Sequence, residues 1–247
     1  MNSRGVDDRD FSVFERRSVM VKQLAFEFPI PSAPTLEGFV VGRNAELLER
    51  LRALPAPVGE RFIYLWGSSG SGRTHLLKGA LALERAAGAR GAYIAGDAHA
   101  VFAEELLECD AVAIDDVERL NETAQIALFH LYNALRESRR TLLVAGTLPP
   151  AQLDLRADLM TRLSWGLVYQ VHALTDAEKA EALAHHAAAR GFGLRPEVCE
   201  YLLSHVRRDM PTLLAMLDAL DRYSLEAKRP VTVPLLRELL MSAPKAQ

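Results

Sequence analysis

The chain has 247 residues, 49% of them hydrophobic, enough for one α/β domain and a smaller helical unit without disulfide or metal staples. Its formal net charge of −3 argues against a module that grips duplex DNA through phosphates, because such modules carry a strong basic excess. Cys109 and Cys199 lack CxxC spacing, no run approaches the roughly 18 apolar residues of a membrane span, and acids and arginines interrupt the first 20 residues. These features predict a cytoplasmic protein with two buried thiols.

Residues 1–19 have mixed charge and weak periodicity, and the character changes at Met20, a candidate start. Gln23 and Leu24 then precede two aromatics, Phe26 and Phe28, and three prolines fall within residues 29–34. Such prolines forbid regular ladders and favour an extended linker. Large apolar residues on a tail without a core of its own need a partner groove. The alternative is a first strand whose residues Leu24, Phe26 and Phe28 pack on the body.

Leu47, Leu48, Leu51 and Leu54 have helical spacing, ended by Pro55 and Pro57. The run Phe62 to Trp66 predicts a buried strand, stopped by a glycine-rich turn and followed by a helix carrying Leu76, Leu77, Ala80, Leu81 and Leu83. The alternation continues with a strand at Ala92 to Ala95, a helix from Ala98 to Leu107, and a strand at Ala111 to Ile114. A helix from Thr123 to Glu137, a strand at Thr141 to Ala145 and a short strand near Leu167 to Val171 complete it. Strand and helix in turn predict a parallel sheet with helices on both faces and ligands at the carboxyl ends of the strands. After His172 only helices are predicted: Asp176 to Arg190, Pro196 to Val206, Met210 to Leu225 and Val233 to Met241. The expected organisation is a tail (1–34), an α/β subdomain (35–172) and an all-α lid (173–247).

Residues Gly67-Ser68-Ser69-Gly70-Ser71-Gly72-Arg73-Thr74 fit the P-loop spacing, with arginine where the pattern requires lysine. The glycines let backbone N–H groups close on phosphates, the next helix offers its positive end, and Thr74 can ligate Mg²⁺. Ala111-Val112-Ala113-Ile114-Asp115-Asp116 is an apolar strand emptying into two acids, as a Walker B element does. Asp115 would hold Mg²⁺ through water, and Asp116 would stand where many ATPases place a water-orienting glutamate.

These motifs resemble AAA+ ATPases, and the stretch from Met20 to Met241 resembles the Hda family, itself similar to the AAA+ portion of DnaA. The likeness is carried by Tyr64-Leu65-Trp66, Gly72 to Leu77, Ile114-Asp115-Asp116, Leu131-Tyr132-Asn133, Pro149-Pro150 with Gln152-Leu153, Arg162-Leu163 with Trp165-Gly166, and Leu217-Asp218 with Leu220-Asp221. Arg73 is part of it. The resemblance implies an AAA+ fold with ADP or ATP and Mg²⁺ held by Gly67, Ser69, Gly70, Ser71, Gly72, Arg73, Thr74, His75, Asp115 and Asp116. It places Thr147 at the sensor 1 position, where the Hda pattern has aspartate, and Arg208 at sensor 2, a role that Arg207 could also fill. Arg162 matches the arginine finger that acts in trans on a neighbour's nucleotide.

Gln23, Leu24, Phe26 and Phe28 resemble a peptide that binds the DNA polymerase sliding clamp. The implied function is regulatory inactivation of DnaA: the clamp-bound protein stimulates hydrolysis of DnaA-bound ATP and meets DNA only through the clamp. Weak intrinsic ATPase activity is expected, because a guanidinium does not replace an ammonium point charge on the phosphates. A DnaA-related helicase loader or autonomous ATPase is the alternative, and self-association is left open. No helix-turn-helix module follows the lid helices, so direct origin binding is not expected. His185 and His186 have no third ligand at metal spacing and are expected to be solvated.

Overall fold

The computed structural model describes residues 33–56 and 58–242. Helix α1 (Ala45–Arg52) leads into β1 (Phe62–Trp66), α2 (Arg73–Ala86), β2 (Gly91–Ala95), β3 (Ala111–Asp115), α3 (Glu122–Glu137), β4 (Thr141–Gly146), α4 (Ala157–Leu163) and β5 (Leu167–Gln170). The strands form one parallel sheet in the order β2-β3-β4-β1-β5.

Both faces of the sheet are covered, and the strand period of two divides the residues between them. Phe62 and Tyr64 of β1, Val112 and Ile114 of β3, and Leu142 and Val144 of β4 join α3 and α4 in one core. Their neighbours Ile63, Leu65, Ala111, Ala113, Leu143 and Ala145 join α1 and α2 in the other. This double burial is why the strands read as continuous apolar runs.

The predicted helix over 98–107 is not formed; the chain runs without helix to Ala103 and makes a 3₁₀ turn at Glu104–Glu108. Phe102 and Leu106 pack on the core while Val101 and Leu107 are exposed, so the segment offers only two large apolar anchors, few for a helix whose stability comes from packing. The Asp97 side chain instead accepts from the His99 N–H at 2.7 Å and closes a local turn. Helix α4, unforeseen, is seven residues long and buries Leu159 and Leu163 one turn apart. Cys199 is buried as expected, but Cys109 is only half-buried.

The lid comprises α5 (Asp176–Ala189), α6 (Pro196–His205), α7 (Met210–Ala227) and α8 (Val233–Ser242), packed around Leu183, Leu202, Leu217 and Leu235. Sequence signals set the helix starts: a Thr175/Glu178 capping box for α5, Pro196 in the first turn of α6, and an Asp209 cap on the Thr212 N–H for α7. Among the described residues, no helix is long and apolar enough to cross a membrane.

One buried side chain ties the start of the α/β unit to the chain leaving its sheet for the lid. Asn44 accepts from the His172 N–H at 2.8 Å and donates to the His172 and Val41 carbonyls at 3.0 and 3.1 Å. Although Asn44 precedes α1, its side chain makes no capping bond there, so it is committed to this joint. Asn44→Ala would remove both bonds to the half-buried His172 backbone and is expected to cost roughly 1–3 kcal/mol, read as a lower denaturant midpoint.

Candidate functional site

At the carboxyl ends of the strands lies a cleft of about 1140 Å³, walled by residues 33–40, the P-loop, Asp116 and the lid. This is the expected ligand position for an open parallel sheet. The P-loop runs from the end of β1 into α2, whose N-terminus it leaves uncapped by any side chain. Free N–H groups there and the helix dipole favour an anion.

Two glycines have different reasons to be glycine. Gly70, at φ +77°, faces open space, and Gly72, at φ +101°, lies where an added Cβ would stand 2.7 Å from Phe39 Cε2. The floor of the cleft is thus pressed against the N-terminal segment. His75 reinforces this contact: its Nε2 is 2.8 Å from the Thr35 carbonyl, and its ring packs 5.7 Å from Phe39.

The acids after β3 meet the P-loop across β4. Thr74 donates its hydroxyl to Asp115 Oδ2 at 2.5 Å, and Tyr93 donates to the same oxygen at 2.9 Å. Burial, then the negative charge of Asp115, pushes the Tyr93 phenol well above its ordinary value, so it remains a donor. Arg73 Nη2 lies 3.2 Å from Asp116 Oδ1. Asp116 adopts the left-handed region at φ 43°. Its carboxyl is held above the usual range by burial and then by Asp115, against the opposing pull of Arg73.

These groups fit a nucleotide and a hard cation. Ser71 Oγ and Arg73 Nη1 are buried and have no hydrogen-bond partner. Arg73 is only 8% exposed, and a buried unpaired cationic donor demands an acceptor such as a phosphate oxygen. Thr74 and Asp115 offer hard oxygen donors side by side, suited to Mg²⁺. Among the described residues no three His, Cys, Asp or Glu side chains could hold a metal by themselves, so the ion would complete its shell with phosphate and water.

From the lid, Arg208 reaches the cleft, but its guanidinium donates to the Leu203 carbonyl at 3.1 Å and lies 3.6 Å from Asp176. Arg207 also lines the cleft, 3.5 Å from Asp209 and 86% exposed. His185 is exposed, whereas His186 is half-buried, 2.6 Å from Asp218, which also pairs with Arg190 at 3.1 Å. The expectation of two solvated histidines thus holds for one.

The structure gathers Ser69 to Thr74 of the P-loop, His75, Asp116 and Arg208 at one cleft, with Gly67 off its wall against the Val171 carbonyl and Asp115 bonded behind it to Thr74. Two expected residues lie elsewhere. Thr147 is exposed and outside the cleft wall, its N–H donating to Glu118 at 3.2 Å. Arg162, near the end of α4, lies against Phe129 and Trp165. The peptide 23–28 falls outside the described residues.

Phe39 and Tyr93 escaped the sequence reading. Phe39 sits in a short connector that carries no motif, and Tyr93 reaches Asp115 from the neighbouring strand, where no motif spacing points. A pair of variants isolates the packing at the loop. Gly70→Ala carries only the backbone cost of a left-handed residue, about 1–2 kcal/mol, and Gly72→Ala adds the Phe39 clash. Urea unfolding is expected to rank Gly72→Ala as the less stable.

Residues 32–170 match the family model described as the bacterial DnaA ATPase domain, and residues 176–240 match the Hda lid domain. Among solved structures, the fold is similar to a replication initiator DnaA bound to AMPPCP and single-stranded DNA. The identity is 24%, with coverage of 82% of this chain and 69% of that one and a TM-score of 0.64. It is also similar to domain III of the Thermotoga maritima replication initiation protein DnaA, at 20% identity, 86% and 97% coverage and a TM-score of 0.63. For AMPPCP-bound DnaA from Aquifex aeolicus the identity is 22%, the coverage 82% and 71%, and the TM-score 0.61. The chain belongs to the Hda/DnaA-related AAA+ family, with a bacterial DnaA-type ATPase domain followed by an Hda-type lid.

Proposed function

We propose that this protein is a cytoplasmic AAA+ switch that inactivates DnaA by completing the ATPase site of a bound DnaA with Arg162. The observation that carries this reading is the separation of Arg162 from the protein's own nucleotide cleft. Among the described residues its guanidinium has no carboxylate partner, whereas Arg156 nearby is tied to Asp158 at 3.0 Å and Glu122 at 3.6 Å. A half-buried cation without its own anion suits an anion brought by another molecule.

In this reading the cleft holds ADP or ATP with Mg²⁺. The P-loop N–H groups, Ser71 and Arg73 bind the phosphates, and Thr74 and Asp115 hold the ion, directly and through water. Arg207 or Arg208 closes the lid side, with Arg208 first leaving its Leu203 and Asp176 contacts. The bound nucleotide supplies negative charge that orders the two subdomains around it.

Arg73 and Asp116 disfavour an autonomous motor. The guanidinium occupies the acid that would orient an attacking water, and aspartate is one methylene shorter than the glutamate many ATPases use there. Arg162 instead neutralises charge developing on the phosphoryl group of the partner's ATP. A finger supplied in trans raises turnover by roughly 10³–10⁵, or about 4–7 kcal/mol of barrier. Residues 23–28 hold the protein on the sliding clamp, so DNA is met only indirectly.

The clamp contact is tested by replacing Gln23, Leu24 and Phe28 with alanine. Clamp binding is expected to be lost with the melting temperature unchanged, each buried apolar anchor being worth roughly 1.5–3 kcal/mol. Retained affinity would remove this part of the reading.

The central test is ATP hydrolysis by the cognate DnaA in the presence of this protein, sliding clamp and DNA. Arg162→Ala is expected to keep folding, ADP binding and clamp binding yet lose the stimulation, and Arg162→Lys to fail as well for want of the planar fork. Full stimulation by Arg162→Ala would refute the assignment.

A further inference from the structure

Trp165 is large, apolar and 52% exposed, and the nucleotide cleft makes no use of it. Its ring centroid lies 4.1 Å from the Arg162 guanidinium carbon, and that of Phe129 lies 5.6 Å from the same atom. We infer that Trp165 and Phe129 are positioning residues, an aromatic rest that holds the Arg162 guanidinium ready for a phosphate presented by a partner protein. This inference rests on the proposed action of Arg162 in trans.

The chemistry of the contact favours this role over a structural one. An aromatic face attracts a cation through its quadrupole but accepts none of its N–H bonds as a carboxylate would. Among the described residues the Arg162 side chain makes no hydrogen bond or ion pair, so its five donors stay available. Arg156 shows the alternative: its Nε and Nη2 both donate to Asp158, at 3.2 and 3.0 Å, so its fork is already filled. A long side chain with neither partner nor rest would lose much rotamer freedom on meeting an anion. Stacking removes part of that freedom in advance.

The rest is itself fixed by the fold. Trp165 follows α4 by two residues, and its N–H donates to the Arg162 carbonyl at 3.1 Å, closing the turn under the side chain. Gly166 comes next, where a Cβ would stand 2.2 Å from the Phe62 carbonyl oxygen, so the backbone is pressed directly on β1. Phe129 projects from α3 and packs on the buried core of that face. Both rings are therefore anchored to the sheet through different elements.

The test measures DnaA ATP hydrolysis at saturating and limiting concentrations of this protein, with clamp and DNA present, for wild type, Trp165→Ala, Trp165→Phe, Phe129→Leu and Arg162→Ala. Trp165→Ala is expected to lower the stimulated turnover by roughly 3- to 30-fold at saturation. The half-saturating concentration should be unchanged, Trp165→Phe should restore most of the turnover, and Phe129→Leu should give a smaller loss. Melting temperatures check that each variant is folded. A raised half-saturating concentration with normal turnover would make Trp165 a docking contact and overturn the inference. Unchanged behaviour of Trp165→Ala, beside a loss in Arg162→Ala, would overturn it while leaving the proposed function intact. Absence of stimulation by the wild type would bring down both.

Discussion

Two short contacts across the sheet organise the cleft: Thr74 to Asp115 and Arg73 to Asp116. Each joins the first turn of α2 to the end of β3, although β4 lies between β1 and β3. The acids and the P-loop are thereby held in register as one charged surface. The arginine adds a constraint of its own. Its charge is nearly excluded from water, one edge meets Asp116 and the Nη1 edge meets nothing, so the site is left short of an acceptor. A phosphate would satisfy that edge, while the other edge stays on Asp116.

The remainder of the cleft depends on joints that hold its walls. Asn44 bonds the chain at the α/β-to-lid transition, and Gly67 lies where a Cβ would stand 2.4 Å from the Val171 carbonyl. The base of the P-loop and the departure toward the lid therefore share one tight contact. On the opposite wall, His75 and Gly72 bring the N-terminal segment onto the loop. The cleft is lined by four parts of the chain, the N-terminal segment, the P-loop with α2, Asp116 and the lid, and none of them forms it alone.

The molecule separates two kinds of arginine chemistry. Arg73 is buried and compensated by an acid within the cleft, while Arg162 is half-buried, uncompensated and supported by aromatic rings outside it. A desolvated ion pair is costly to disrupt, and an arginine on an aromatic face keeps its donors available. The first arrangement fixes a buried charge in place, and the second leaves a guanidinium with its donors open.

The sequence by itself determined the strand-helix alternation, the P-loop, the acidic pair and the switch to helices after His172. Each is a local pattern: β1, β3 and β4 are apolar on both faces because both faces are buried, and the glycines of the loop follow from backbone geometry. The caps of α5 and α7 were equally local. Tertiary structure decided the rest. The helix expected over 98–107 is replaced by a local turn in which the Asp97 side chain accepts from the His99 N–H, and by a 3₁₀ turn at Glu104–Glu108. The approach of Tyr93 to Asp115, of Phe39 to Gly72 and of Trp165 to Arg162 requires strand pairing or turn packing. Thr147 stands just after β4, yet packing leaves it outside the cleft. Motif spacing fixes what a segment can bind, and only packing fixes which side chains reach the same point in space.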